Sequence, residues 1–161
     1  LRIALGALVV SLTFVLAGCG NIAEKAVEKA IEKGTGTEID TNKDGSITVK
    51  GKDGESDFQF GEGTSMPKDF PKNLPLPDSG TLVAAIASQG TWGLTFQNVS
   101  TSDYESLVSK FESAGAHSTY SGQAEGNRQN MYELGDYNLT LFWAADGDES
   151  SLVYSVAQKQ G

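Results

Sequence analysis

The sequence predicts an α+β protein. It reads as an antiparallel sheet of about five strands with one packed helix, in the order β-β-α-β-β-β, behind a smaller β-meander. Three observations carry this expectation. Leu82–Ser88 reads as a short apolar strand, and apolar residues alternate with period two over Trp92–Phe96, Tyr137–Ala144 and Ser151–Gln158, as in strands that bury one face. A single stretch after Phe96 switches to helical spacing. The order β-β-α-β-β-β, with one helix among the strands, argues for an antiparallel sheet with that helix packed across it.

The first element is residues 1–18. Ile3 to Ala17 is apolar apart from Gly6, Ser11 and Thr13, and Arg2 is its only charge. Spanning a bilayer takes about 20 apolar residues, so this run suits a signal h-region better than a transmembrane anchor. Leu1 stands where a methionine is usual, which reads as an alternative start or a few missing residues. The run ends at Leu16-Ala17-Gly18-Cys19, which contains the only cysteine. These four residues resemble the lipobox of bacterial lipoproteins. The resemblance implies cleavage before Cys19, a diacylglycerol on its sulfur, and an extracytoplasmic protein held to the cell membrane by lipid. Two acyl chains hold stably where one binds only marginally, each buried methylene contributing about 0.8 kcal/mol. With the sole thiol consumed as a thioether, no disulfide can form.

Charge narrows the partners. The first 18 residues hold one arginine and no acid, so residues 19–161 carry 11 basic and 21 acidic side chains, a net charge of −10. Such a surface repels phosphate backbones and anionic lipid, which argues against nucleic acid.

Residues 19–33 form the second element, the lipidated cysteine and a short amphipathic helix. Asn21 with Glu24 fits a capping pattern and Gly34 sits where a helix stops. Ile22, Ala23, Ala26, Val27, Ala30 and Ile31 share one face, while Glu24, Glu28, Glu32 and Lys25, Lys29, Lys33 form two charged columns. Such a segment serves as a membrane-skimming or partner-binding stalk, or as a short helix docked on the next domain or left as a spacer. A helix of about 13 residues is marginal alone, which favours docking or fraying over an independent stalk.

Residues 34–63 read as a β-meander. Strands are expected at Glu38–Asp40, Ser46–Lys50 and Asp57–Phe60, separated by Asp44-Gly45 and Asp53-Gly54 turns. The core they offer is small, so the meander needs a neighbour. Asp40, Asn42 and Asp44 followed by Gly45 and Ile47 also match the opening of a calcium loop, with oxygen ligands at alternate positions. The twelfth position is Gly51 and supplies no carboxylate. A plain Asp-Gly hairpin explains every residue equally well, so these three remain a weak calcium candidate.

Residues 64–80 form a connector. All four prolines, Pro67, Pro71, Pro75 and Pro77, fall in this stretch, which stiffens it towards a polyproline-like path. Phe70, Leu74 and Leu76 point to a connector lying along the next domain.

Residues 81–161 are the expected α+β domain. Its helix runs from about Asp103 to Ala114, with Ser102 and Glu105 as a capping box, a Tyr104, Leu107, Val108, Phe111 stripe and Gly115 closing it. A weak strand near Ser118–Gln123 and a stronger one near Asn130–Leu134 follow.

The combination of lipobox, Ala-Glu-Lys helix, Asp-Gly meander and Asp69-Phe70-Pro71-Lys72-Asn73-Leu74-Pro75-Leu76-Pro77 is similar to small actinobacterial cell-envelope lipoproteins of unknown function. That resemblance carries no catalytic residue over. The residues themselves point to no catalysis either. His117 is the only histidine and reads as a surface residue beyond a helix end. Asp146, Asp148 and Glu149 sit in turn-like sequence where solvated acids are usual. Trp92 and Trp143 either line a binding face or fill the core. The expectation is therefore a non-catalytic binding or interaction module of the envelope, without a cofactor beyond the lipid on Cys19, meeting an envelope protein or a cell-wall component. The alternatives are an accessory structural protein with no small ligand and, less simply, a calcium-binding surface protein.

Overall fold

Alternating apolar and polar side chains, punctuated by glycines in left-handed conformation, fold this chain into strand after strand. A computed structural model describes residues 38–41, 45–51 and 56–160. The strands are β1 (Glu38–Thr41), β2 (Ile47–Lys50), β3 (Ser56–Phe60), β4 (Thr81–Ser88), β5 (Thr91–Gln97), β6 (His117–Ala124), β7 (Asn127–Leu134), β8 (Tyr137–Asp146) and β9 (Glu149–Gln158). One helix, α1 (Thr101–Ser113), lies between β5 and β6. The strands form a single sheet in the order β1-β2-β3-β4-β5-β9-β8-β7-β6, and every pair is antiparallel. Two meanders thus meet at β5 and β9 in the middle, and α1 carries the chain from the centre to the far edge.

This corrects the expected α+β class. Nine strands against one helix of 13 residues make the described protein close to all-β. Two physical reasons account for the difference. The β-meander is continuous with the main sheet, because β3 pairs with β4 in the register Phe58↔Ile86 and Phe60↔Ala84. The weak strand expected near Ser118–Gln123 is a full eight-residue strand, β6, so four strands follow the helix where the order β-β-α-β-β-β counts three. β6 is exposed along almost its whole length, and its sequence, His117-Ser-Thr-Tyr-Ser-Gly-Gln-Ala124, accordingly lacks the apolar alternation that marks the buried strands.

The hairpins follow their turn chemistry. Gln89 and Gly90 both take positive φ (41° and 77°) between β4 and β5, as a tight turn matching the right-handed strand twist demands. Gly126, Gly135 and Gly147 do the same at the later hairpins.

One face of the sheet carries the core. Trp92, Leu94 and Phe96 of β5, Leu139, Leu141 and Trp143 of β8, and Leu152, Tyr154 and Val156 of β9 are all buried there. Against them α1 sets Tyr104, Leu107 and Phe111. Phe111 stacks on Tyr132 at 5.4 Å between centroids and meets Tyr154 edge-on at 5.8 Å, arrangements that add to simple area burial. The connector lies along the same face, as its apolar residues foretold: Phe70 and Leu74 are buried, and the Phe70 ring meets Trp92 and Tyr154 edge-on. No helix among the described residues is long and apolar enough to cross a membrane.

Candidate functional site

The site is built from strand alternation. Successive side chains point to opposite faces of a sheet, so the cross-strand register shows what each face presents. One row on the core side runs Asp40, Thr48, Gln59, Ala85, Leu94, Tyr154, Leu141, Asn130, Ser121. The adjacent row, on the face without the helix, runs Ile39, Val49, Phe58, Ile86, Gly93, Ser155, Thr140, Met131, Tyr120. A second row there contains Ile47, Phe60, Ala84, Thr95, Val153 and Phe142.

The two rows reveal an inversion of polarity along the sheet. In β5, β8 and β9 the buried apolar residues face the helix. In β1–β3 the helix side is polar, with Asp40, Thr48 and Gln59, and the apolar residues point the other way. Phe58 and Phe60 touch on that other face, their ring centroids 4.2 Å apart. Among the described residues the six exposed large apolar side chains lie there too: Ile47, Ile86 (39% exposed), Tyr120 (50%), Met131, Phe142 (40%) and Val153. Gly93, Thr95, Thr140 and Ser155 form a small-residue band between the β1–β4 cluster and the β6–β9 cluster. The Tyr120 ring lies over Gly122, where an added Cβ would stand 2.8 Å from its Cζ.

The core side offers shallower chemistry. A polar groove of about 480 Å³ lies between the connector and β3–β4, lined in part by Asp57, Gln59, Lys68, Asp69 and Ser88. At the seam of α1 and β7, Arg128 lies over the Trp143 ring, its Cζ 5.7 Å from the centroid, and donates to Glu105 Oε1 at 2.6 Å. The Tyr104 hydroxyl donates to Asn130 Oδ1 at 2.6 Å, and burial holds its pKa up at about 12. Where connector and helix meet, Ser106 and Lys110 donate to Asp78, and Ser79 and Ser100 to Asp103. Hydrogen bonds from Lys110 and Ser100 respectively hold these two carboxyls below their usual range. The cluster is exposed and ties the connector to the helix; it aims no group at a shared vacant point.

The predicted residues are distributed as follows. Cys19, the 21–33 helix, Asn42 and Asp44 lie outside the described residues. Asp40 is exposed on β1 and accepts from Lys50 Nζ at 3.3 Å. Among the described residues no group of three His, Cys, Asp or Glu is placed to hold a metal ion. His117 is exposed on edge strand β6, across from Glu133. Asp146, Asp148 and Glu149 are exposed around the β8–β9 turn. Trp92 and Trp143 belong to the core, and Trp143 Nε1 donates to the Val99 carbonyl at 2.8 Å. The helix-free face escaped sequence reasoning, although the signal was present. Ile47 with Val49 and Phe58 with Phe60 each share a face by strand alternation, but which side they share with β5–β9 depends on the β3–β4 register.

No protein-family model, curated protein or solved structure matches this chain.

Proposed function

We propose that this chain is a lipid-anchored, extracytoplasmic module of the bacterial envelope that works by contact through the helix-free face of its sheet, without catalysis. One observation carries the contact reading: among the described residues, the six exposed large apolar side chains all lie on one face of the sheet, in two clusters. Soluble monomers rarely leave contiguous apolar patches of more than a few hundred Å² uncovered unless something is meant to meet them. The net charge of −9 keeps the rest of the surface from adhering unselectively. The anchoring rests on Leu16-Ala17-Gly18-Cys19 at the end of an apolar run.

The anchoring is tested by growing cells that express the chain with a labelled fatty acid, then separating membranes from soluble material. The expected result is label on the protein and recovery with membranes, both lost in Cys19→Ser. Retention of the Cys19→Ser chain on membranes, or absence of label on the original, overturns this part of the proposal.

A further inference from the structure

We infer that residues 21–33 dock, as a helix, on the helix-free face over β1–β4, so that the sheet is covered on both sides. The inference rests on reading that face as a contact surface, and it holds whether or not Cys19 is lipidated.

Polarity supplies the first argument. Strands β1–β3 contribute none of the buried apolar side chains among the described residues, and their apolar residues face away from α1. A half-polar sheet face needs a second layer over its apolar side. None of the described elements lies there.

The amphipathic segment fits that vacancy. Its stripe, Ile22, Ala23, Ala26, Val27, Ala30 and Ile31, mixes large with small side chains and allows close approach to a sheet. On β1–β4 the two rows that face it hold no charged residue. The glutamate column lies off the apolar stripe and Lys25 and Lys29 flank it, while Lys33, beside Ile22 and Ala26 in projection, stands at the end of the segment, where a long side chain can carry its ammonium to water.

Reach is the third argument. Only residues 34–37 separate the segment from β1, and four residues span up to about 14 Å. Strands lie about 4.8 Å apart, so this link carries the segment from the sheet edge to a position over β2–β3. A helix of 13 residues is about 20 Å long, enough to lie along the β1–β4 cluster. So short a tether gives an effective concentration in the millimolar range, which a second copy or an unlinked partner must outcompete. The β6–β9 cluster then stays open, and Gly20 alone separates Cys19 from the docked segment, holding the sheet close to the lipid.

The test places p-benzoylphenylalanine at position 86 of the full chain, expressed in cells and kept in its membranes. Illumination is expected to give a product of monomer mass whose cross-linked peptide falls within residues 21–33. The same probe at Glu112, on the opposite side of the molecule, is expected to give none. Val27→Asp with Ile31→Asp should lower the position-86 product by about tenfold, because a carboxylate cannot enter an apolar contact without cost. A product of dimer mass, a product with lipid or with another protein in place of 21–33, or no product at all overturns the inference. Fatty-acid labelling of the same samples reads the anchoring separately, so failure of one reading is distinguishable from failure of the other.

Discussion

At the scale of single residues, the junction between connector and sheet is tightly packed. Gly80 has φ +101°, and a Cβ there would lie 2.6 Å from Val99 Cγ2 and 3.0 Å from the Gln97 carbonyl. Val99 is fully buried, and its carbonyl accepts from both Trp143 Nε1 and Ser150 Oγ at 2.8 Å. It therefore cannot yield easily. Gly80→Ala is expected to destabilise by about 1–3 kcal/mol, the usual scale of a forced backbone conformation, read as a lower denaturant midpoint with unchanged m. Trp143→Phe removes one of the two donors to Val99, at a net cost of about 1 kcal/mol from the hydrogen bond alone. The buried phenols set the alkaline limit. Burial raises Tyr104 from 10.0 to about 12 and raises Tyr154 as well, so the fold favours their neutral forms. That stability is complete below the ordinary tyrosine value and is lost as pH rises through the raised ones. Denaturant midpoints should accordingly fall above about pH 10, the unperturbed phenol value, and tyrosinate absorbance should rise together with unfolding.

At the scale of elements, α1 shows where local pattern and structure part. The sequence pattern points to Ser102 with Glu105 as the capping box and to a start near Asp103. The structure corrects this: the cap is Ser100, Asp103 N donates to Ser100 Oγ at 3.1 Å and α1 begins at Thr101. The deciding contact is tertiary, since Ser79 of the connector donates to the Asp103 carboxylate, and no spacing within the helix reveals it. Ser100→Ala should cost about 1 kcal/mol. It should also flatten the acid limb of the stability profile. Asp103, whose carboxyl Ser100 holds below its usual range, stabilises the fold above the ordinary carboxylate range and ceases to do so as pH falls through its lowered value. The buried stripe of Tyr104, Leu107 and Phe111 was legible, because helical periodicity depends only on which side faces a core. So was the connector's role, from Phe70 and Leu74. Phe70→Ala should destabilise by about 3–5 kcal/mol, a loss measurable by chemical denaturation and far beyond what a free linker allows. Edge strand β6 was faint for the converse reason: with nothing to bury, its alternation had no apolar content to show.

At the scale of the whole molecule, one continuous hydrogen-bonded sheet joins two regions of unequal support. Strands β5, β8 and β9 lie between neighbours on both sides and under α1 and the connector, with side chains such as Leu141, Leu152 and Val156 fully buried. Strands β1–β3 share the ladder but add no buried apolar side chain, and β1 is a free edge among the described strands. Local opening free energies follow the apolar contacts that must be broken. In native-state hydrogen exchange, amides of β5, β8 and β9 should therefore exchange only through global unfolding. Those of β2 and β3 should open locally, at a free energy lower by about 2 kcal/mol or more, a gap set by the missing core contacts. On the docking inferred for residues 21–33, that gap is adjustable. With Val27→Asp and Ile31→Asp the β2–β3 amides should exchange faster still, while the amides of β5, β8 and β9 keep their protection. A uniform change across all nine strands would mean that 21–33 supports the core as a whole. No change anywhere would mean that the apolar face over β1–β4 is covered by something other than this segment.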